Sequence, residues 1–234
     1  MVTLFIATRN MHKVQEIRAI LGPGYECLSL GNFPDAAEVV EDAATFAGNA
    51  TKKAVQLAKW FATKAPRAST TTCGYVLADD SGLETDYLNG APGVHSARFA
   101  ALDSGAPGNS SAKENNQKLL RLLQNAPLEQ RTARFRCVLA LTPILQVPTG
   151  NASPACAADE FELQTELFEG TCEGRIGFAP RGDGGFGYDP LFFPVGYDQT
   201  FSELGEEIKN RLSHRAKALE KLRKWMIGNL NKTT

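Results

Sequence analysis

Residues 75–78, Tyr-Val-Leu-Ala, are a short apolar run with the character of a buried strand, and the run meets two adjacent carboxylates, a hydroxyl and a glycine, Asp79-Asp80-Ser81-Gly82. The strand is expected to stop there, and a strand end of this composition is a natural place for a site. Side chains alternate along an extended chain, so Asp79 and Asp80 point to opposite sides and take different tasks. One can face a pocket while the other braces the loop. A hard divalent cation such as Mg2+ asks for carboxylate oxygens and commonly arrives with a phosphate substrate. Taken alone, Asp-Asp-Ser-Gly also describes a solvated turn, so the rest of the chain decides between the two.

A chain of 234 residues can bury a large core and suits one domain, or one domain with two lobes. With 43% hydrophobic and 22% charged residues and a mean hydropathy of -0.23, the expectation is a soluble globular protein. A formal net charge of -1 gives no global field toward nucleic acid or an anionic membrane, so an anionic ligand must be held by local groups. The opening Met1-Val2-Thr3-Leu4-Phe5-Ile6-Ala7 lacks the basic head and long apolar run of a signal peptide, and no apolar stretch approaches the roughly 20 residues of a membrane span. The five cysteines, Cys27, Cys73, Cys137, Cys156 and Cys172, are scattered without a C-x-x-C pair. They read as reduced thiols in a cytoplasmic protein.

Residues 3–7 read as a first strand, and a helix follows with Val14, Ile17 and Leu21 on one face. The connecting Thr8-Arg9-Asn10-Met11-His12-Lys13 places backbone N–H groups, the Thr8 and Asn10 side chains and the Lys13 ammonium at a helix N-terminus, where an anion is favoured. It has no Walker A glycines, and a capped helix start with a surface lysine is the plainer alternative. Gly22-Pro23-Gly24 ends the helix, and residues 25–30 form a second strand. Glu41 stands on an extended segment before a helix running to about residue 62, whose Ala50, Ala54, Leu57, Ala58 and Phe61 make one apolar stripe. From there Glu41 could reach a cation or simply favour the helix dipole. Residues 66–72 read as a polar surface connection, residues 83–87 as a return strand, and Asn89-Gly90-Ala91-Pro92-Gly93 as a turn. A helix spans 112–123 and strands span 133–141 and 161–173. Residues 143–159 form an exposed excursion or insertion between these two strands.

The second rich stretch is Arg181-Gly182-Asp183-Gly184-Gly185-Phe186-Gly187-Tyr188-Asp189-Pro190, followed by an apolar strand at 191–193. Its glycines allow close backbone approach to a ligand, and Phe186 and Tyr188 offer flat faces for a base. Aromatics beside glycines also occur in ordinary bends. Ser213 reads as an N-cap that aims His214 and Arg215 off the first turn of an amphipathic helix carrying Leu219, Leu222 and Met226.

Six segments together carry a resemblance: Ala7-Thr8-Arg9-Asn10 with Lys13, Thr45-Phe46 with Asn49-Ala50, residues 78–83, Gly90-Ala91-Pro92-Gly93, residues 186–190 and Ser213-His214-Arg215. In order and spacing the chain resembles the inosine triphosphate pyrophosphatase family over nearly its whole length. That resemblance implies an elongated α/β fold with a mixed central β-sheet flanked by helices, two lobes within one domain over 1–234, an active-site cleft between the lobes, and a homodimer. It implies hydrolysis of ITP, dITP and XTP to the monophosphate and pyrophosphate. Thr8, Asn10 and Lys13 would hold the triphosphate, Glu41 and Asp80 would hold Mg2+, and Asp80 would be the catalytic acidic residue with Ser81 beside the phosphates. Phe186 would stack on the base. Gly187, Tyr188 and Asp189 would shape its pocket, and Lys209, His214 and Arg215 would complete base recognition.

Two departures stand out. Arg9 replaces the family's usual glycine, and Gly48 replaces an acidic residue just before Asn49, which leaves a metal set of Glu41 and Asp80. Gly48 also motivates a second hypothesis, a nucleotide-binding sensor that has lost efficient hydrolysis. A third, a related pyrophosphatase for other modified or pyrimidine triphosphates, differs in its choice of base. A nucleic-acid partner is disfavoured by the absence of any basic run.

Overall fold

The computed structural model describes residues 2–64, 74–105, 108–145 and 161–230. The first strand, β1 (Val2–Ile6), leads into helix α1 (Met11–Leu21), which buries Val14, Ile17 and Leu21 and stops at Gly22, whose φ of 73° lies in the left-handed region. The chain returns as β2 (Tyr25–Ser29), parallel to β1 with Val2 opposite Tyr25 and Ile6 opposite Ser29. This is a strand–helix–strand crossover, which parallel pairing requires. On its other edge β1 pairs in parallel with β3 (Gly74–Thr85), Thr3 opposite Gly74 and Ile6 opposite Leu77. With β4 (Thr132–Pro143), β5 (Glu166–Ile176) and β6 (Phe192–Pro194) the sheet has the order β2-β1-β3-β4-β5-β6, and β5 pairs with β6 antiparallel. The fold is thus α/β with a mixed six-stranded open sheet flanked by helices. Among the described residues no helix is long and apolar enough to cross a membrane.

The chain divides into two compact units. The first comprises Met1–Asp80, Val138–Phe168 and Lys221–Thr234. Helix α2 (Phe46–Lys64) belongs to it and buries Ala50, Ala54, Leu57, Ala58 and Phe61, the expected stripe. Phe5, Phe33, Trp60 and Phe61 form an aromatic cluster with Phe5 and Phe61 centroids 4.3 Å apart.

The second unit comprises Ser81–Cys137 and Glu169–Glu220, with a core of Leu83, Phe99, Leu119, Leu123, Phe135, Ile176, Leu191, Phe192 and Phe201. It contains the short helix α3 (Ala101–Ser104), α4 (Ala112–Leu122) with a capping box of Ser111 and Glu114, and α5 (Phe201–Leu212) with a capping box of Thr200 and Glu203. The last helix, α6 (His214–Leu230), begins in the second unit and ends in the first. Arg131 is buried within the second unit. Its guanidinium donates to the carbonyls of Leu123 at the end of α4, Ile176 at the end of β5 and Gly177, at 2.7–3.0 Å, and so ties helix to strand.

The structure alters several sequence expectations. The strand at 75–78 does not stop at the carboxylates: β3 runs twelve residues through Asp79-Asp80-Ser81-Gly82 to Thr85, so residues 83–85 continue it and no return strand forms. A 3-10 turn, Asp86–Leu88, follows. Burial of two consecutive carboxylates in a strand is tolerated because cations from two helices reach them, as detailed below. The strand expected at 161–173 starts only at Glu166. Phe161 precedes it in a helical turn closed by Thr165 Oγ1 donating to the Phe161 carbonyl. The excursion expected at 143–159 begins where β4 ends, and its residues from 146 onward lie outside the described residues, as does the connection at 66–72.

Candidate active site

In the first unit the strand alternation separates the two aspartates as anticipated. Asp79 Oδ1 receives the Lys13 ammonium at 2.5 Å from the first turn of α1, with the Asp79 side chain fully buried. Asp80 turns toward α2, where Lys53 Nζ donates to its Oδ1 at 3.1 Å and Asn49 Nδ2 donates to its Oδ2 at 3.2 Å. Lys53 Nζ also reaches the Asp79 carbonyl at 2.8 Å and Glu41 Oε2 at 3.1 Å. An ammonium has three protons, and these three oxygens account for them.

Neither Lys53 nor Asn49 was assigned a role from the sequence. The available signal was their spacing: residues 49 and 53 lie within the apolar arc of α2, and a polar or charged residue on a buried helix face needs a buried partner.

Burial pushes the Asp80 carboxyl up to about 6, against the opposing pull of Lys53 and Lys13, and a hydrogen bond with Glu41 adds to the rise. Desolvation also acts to raise Glu41, but the Lys53 ammonium and the shared hydrogen bond outweigh it and hold Glu41 below the usual carboxylate range. Burial would lower Lys53, yet Asp80 and Glu41 hold it above the usual lysine value. The carboxyl pair therefore shares a proton in mildly acidic solution.

A stability prediction follows from this pair. An unfolded Asp releases its proton near pH 4, so across about pH 4 to 6 the folded chain binds more protons at Asp80 than the unfolded chain does. The Asp80 contribution to stability then falls as pH rises through that window. Thermal melts of chelator-treated protein from pH 4.5 to 7.5 should show this fall in the wild type and a weaker one in Asp80→Asn. Parallel curves would contradict it.

The loop before α1 is built around its own cap. Asn10 Oδ1 accepts from the His12 and Lys13 backbone N–H groups at 3.0 and 3.3 Å, and Thr8 Oγ1 accepts from Asn10 N at 3.1 Å. The side-chain oxygens are thus used locally, while the Thr8 hydroxyl proton and the Asn10 amide protons are of donor type, suited to an anion. Arg9 donates to the Ala36 carbonyl at 3.1 Å, which gives that departure a bracing role for the loop carrying Glu41.

Gly48 is filled from outside. A Cβ there would lie 2.8 Å from Ala43 Cβ and 3.1 Å from Thr45 Oγ1, and Ala43 N is held by Asn49 Oδ1 at 2.9 Å. Gly48→Glu alone should therefore cost about 1–3 kcal/mol by overpacking, measurable by urea denaturation. An unchanged midpoint would show that the segment at 43–45 yields freely.

The second unit gathers the other predicted residues. Lys209 Nζ pairs with Asp189 Oδ2 at 2.5 Å, both side chains almost fully buried, and the same oxygen accepts from Phe186 N at 2.8 Å. The Lys209 ammonium sits 4.3 Å from the centroid of the half-buried Phe186 ring, and the Arg215 guanidinium carbon lies 6.0 Å from it. A Cβ at Gly185, where φ is 74°, would come within 2.3 Å of Asp189 Oδ2, so the loop closes on the carboxylate only with glycine there.

Tyr188 is buried, its hydroxyl donates to the Ser96 carbonyl at 2.9 Å, and burial pushes its phenol well above the usual range, so it stays a neutral wall. Arg215 is buried and donates to Ser81 Oγ at 2.9 Å, which brings together two residues assigned from separate motifs. His214 stacks on Phe135, centroids 4.8 Å apart and rings 14° from parallel. Ser213 Oγ accepts from Ala216 N at 3.2 Å, the cap expected from the sequence. A groove of about 410 Å³ runs along the loop of 180–190 and α4, lined by Phe186, Gly187, Asn116 and Leu120 among others.

Among the described residues no group of three or more His, Cys, Asp or Glu side chains is arranged to hold a metal ion. The hard oxygen donors that do converge are Glu41 and Asp80. A pair of carboxylates drawn onto one ammonium suits an ion such as Mg2+, which takes one or two carboxylates and completes its shell with water and phosphate oxygens.

The chain is similar to known proteins over nearly its whole length. The family model described as the Ham1 family matches residues 4–225. A dITP/XTP pyrophosphatase of Desulforamulus reducens is 48% identical over 93% of this chain and 92% of its own, and one of Geobacillus kaustophilus is 43% identical over 98% of each. Among solved structures, a HAM1 protein from Coxiella burnetii superposes with a TM-score of 0.73 at 31% identity, covering 97% of this chain and all of that one. A nucleoside-triphosphatase / dITP/XTP pyrophosphatase from Mycobacterium abscessus gives 0.66 at 34%, covering 94% and 98%. The matches extend over nearly the full chain at identities that carry common ancestry, and the chain belongs to the Ham1 family.

Proposed function

We propose that this protein is a Mg2+-dependent nucleoside triphosphate pyrophosphatase that hydrolyses ITP, dITP and XTP to the monophosphate and pyrophosphate, clearing deaminated purine nucleotides from the pool. The observation that carries the reading is Asp80, buried in a strand, held by Lys53 and Asn49, and hydrogen-bonded to Glu41. A carboxylate so fixed, with a proton affinity raised toward neutrality, is suited to accept a proton from an attacking water.

The reaction places water on the α-phosphorus of a polyanion and expels pyrophosphate. Thr8, Asn10 and Lys13 are assigned to the phosphate oxygens, at a helix N-terminus where anions are favoured. Asp79 fixes the Lys13 ammonium in place. Glu41 and Asp80 would hold Mg2+, which supplies neutralisation of phosphate charge. Ser81 is assigned beside the phosphates, and its hydroxyl accepts from Arg215. Phe186 is assigned to stack on the base, with Gly187, Tyr188 and Asp189 forming the walls.

Lys209, His214 and Arg215 are donors, and hypoxanthine and xanthine carry an acceptor oxygen at position 6 where adenine carries an amino group. Leaving a buried donor unpaired against adenine costs about 1–3 kcal/mol, or roughly tenfold to a hundredfold in selectivity. The same resemblance that supports these assignments supports a homodimer, a single domain over 1–234 and a cytoplasmic location.

Product analysis tests the proposal. Purified protein with Mg2+ and, separately, ITP, XTP, GTP and ATP should yield monophosphate plus pyrophosphate from ITP and XTP and little from GTP or ATP. Tight ITP binding without turnover would instead favour the sensor reading raised by Gly48.

A further inference from the structure

The loop carrying Phe186 is held from two sides, and one of its anchors lies far away in sequence. On one side Asp189 and Lys209 fix the Phe186 amide, as described above. On the other, the carbonyls that flank Phe186 are caught by side chains from two helices: Gly184 O accepts from Ser202 Oγ at 2.5 Å, and Gly187 O accepts from Asn116 Nδ2 at 3.0 Å. We propose that Asn116 is a positioning residue for base binding, acting by tethering the Gly187 peptide to α4 so that the Phe186 ring is preset for stacking. The inference rests on the assignment of Phe186 to the base.

The contrast with its neighbour makes the case. Asn115 and Asn116 are adjacent on α4 and similarly buried, at 5% and 7% exposure. Asn115 uses both halves of its amide, Oδ1 accepting from Ala100 N at 2.8 Å and Nδ2 donating to Ala97 O at 3.1 Å, as a purely structural residue does. Asn116 uses only the donor half, and its buried Oδ1 has no hydrogen-bond partner among the described residues. Rotating the amide by 180° would set Oδ1 against the Gly187 carbonyl, acceptor to acceptor, so the orientation is fixed by the tether. An orphaned buried acceptor is destabilising, and the surroundings, with Leu120, Pro180 and Pro190 along the same groove, would suit leucine. A side chain that carries an orphaned acceptor while holding the peptide next to Phe186 is suited to positioning rather than to packing. The tether acts at a permissive point of the loop, because Gly187 has φ 63° and would otherwise share the wide freedom of glycine.

The test uses the full chain as Asn116→Leu, Asn116→Asp and wild type, with three readouts: thermal midpoint, steady-state ITP hydrolysis, and amide hydrogen exchange of 184–189 without nucleotide. Leucine removes donor and orphan together; aspartate keeps the shape but cannot donate to a carbonyl. Both variants should exchange 184–189 at least about tenfold faster and raise KM for ITP about tenfold with kcat within about twofold. Asn116→Leu, which removes the orphaned acceptor but leaves the partly exposed Gly187 carbonyl to solvent, should melt close to the wild-type temperature. Wild-type exchange and KM in both variants would overturn the proposal, as would a lowered midpoint with KM unchanged, which marks a structural residue. Failure of the functional reading is distinguishable, because wild type would then not turn over ITP at all, while the exchange comparison still decides whether the tether exists.

Discussion

Asp80→Asn should lower kcat for ITP by about a thousandfold, or ~4 kcal/mol of activation free energy, with the fold retained. Asparagine has the same shape and keeps an oxygen for the Lys53 ammonium, so the two hydrogen bonds that seat residue 80 need not both be lost. What disappears is the charge and the capacity to take a proton from water. Asp79 cannot substitute, since it faces the other side of β3 and is paired with Lys13. Steady-state assays with circular dichroism and melting as controls check this. Activity within about tenfold of wild type in a folded variant would remove Asp80 from the chemistry.

Lys53→Met should be the most destabilising change near the carboxyl pair, by about 3 kcal/mol at pH 8, because it removes the ammonium that pairs with both Asp80 and Glu41 and leaves the buried Asp80 carboxyl beside the partly exposed Glu41 with only the weaker pull of Lys13. The loss must depend on pH. Below about pH 6 the Asp80 carboxyl is protonated and the repulsion lapses, so the deficit shrinks in acid. Urea denaturation at pH 5 and pH 8 distinguishes this from simple loss of packing by the lysine stem, which would give the same deficit at both values. Added Mg2+ should recover part of the stability at pH 8 if the pair holds it, since a ligand that binds only the folded state stabilises it.

Much of the fold was legible because periodicity and punctuation agree locally. The positive-φ glycine at Gly22, the stripe on α2 and the cap at Ser213 each follow from residues within a few positions of one another. The length of β3 was not legible, because two aspartates in a row are turn formers by composition and become strand residues only when Lys13 and Lys53, distant in sequence, reach them. The same distance hid the partners of Lys53 and Asn49, whose own places on the buried arc of α2 were legible. The sequence assigns Lys209 to a base; what the structure shows is its pairing with Asp189, which in turn holds the Phe186 amide. Asn116 was invisible for the same reason: its partner is 71 residues away. Local sequence reports which side chains can do chemistry. Which of them are pinned, and by what, is settled by tertiary pairing.

The most direct measurement is hydrolysis of ITP in water enriched in oxygen-18, with mass analysis of both products. Attack of water on the α-phosphorus puts one labelled oxygen into the monophosphate and none into the pyrophosphate. Label in the pyrophosphate and an unlabelled monophosphate would place the attack on the β-phosphorus and contradict the assignment of Asp80 to a water directed at the α-phosphorus.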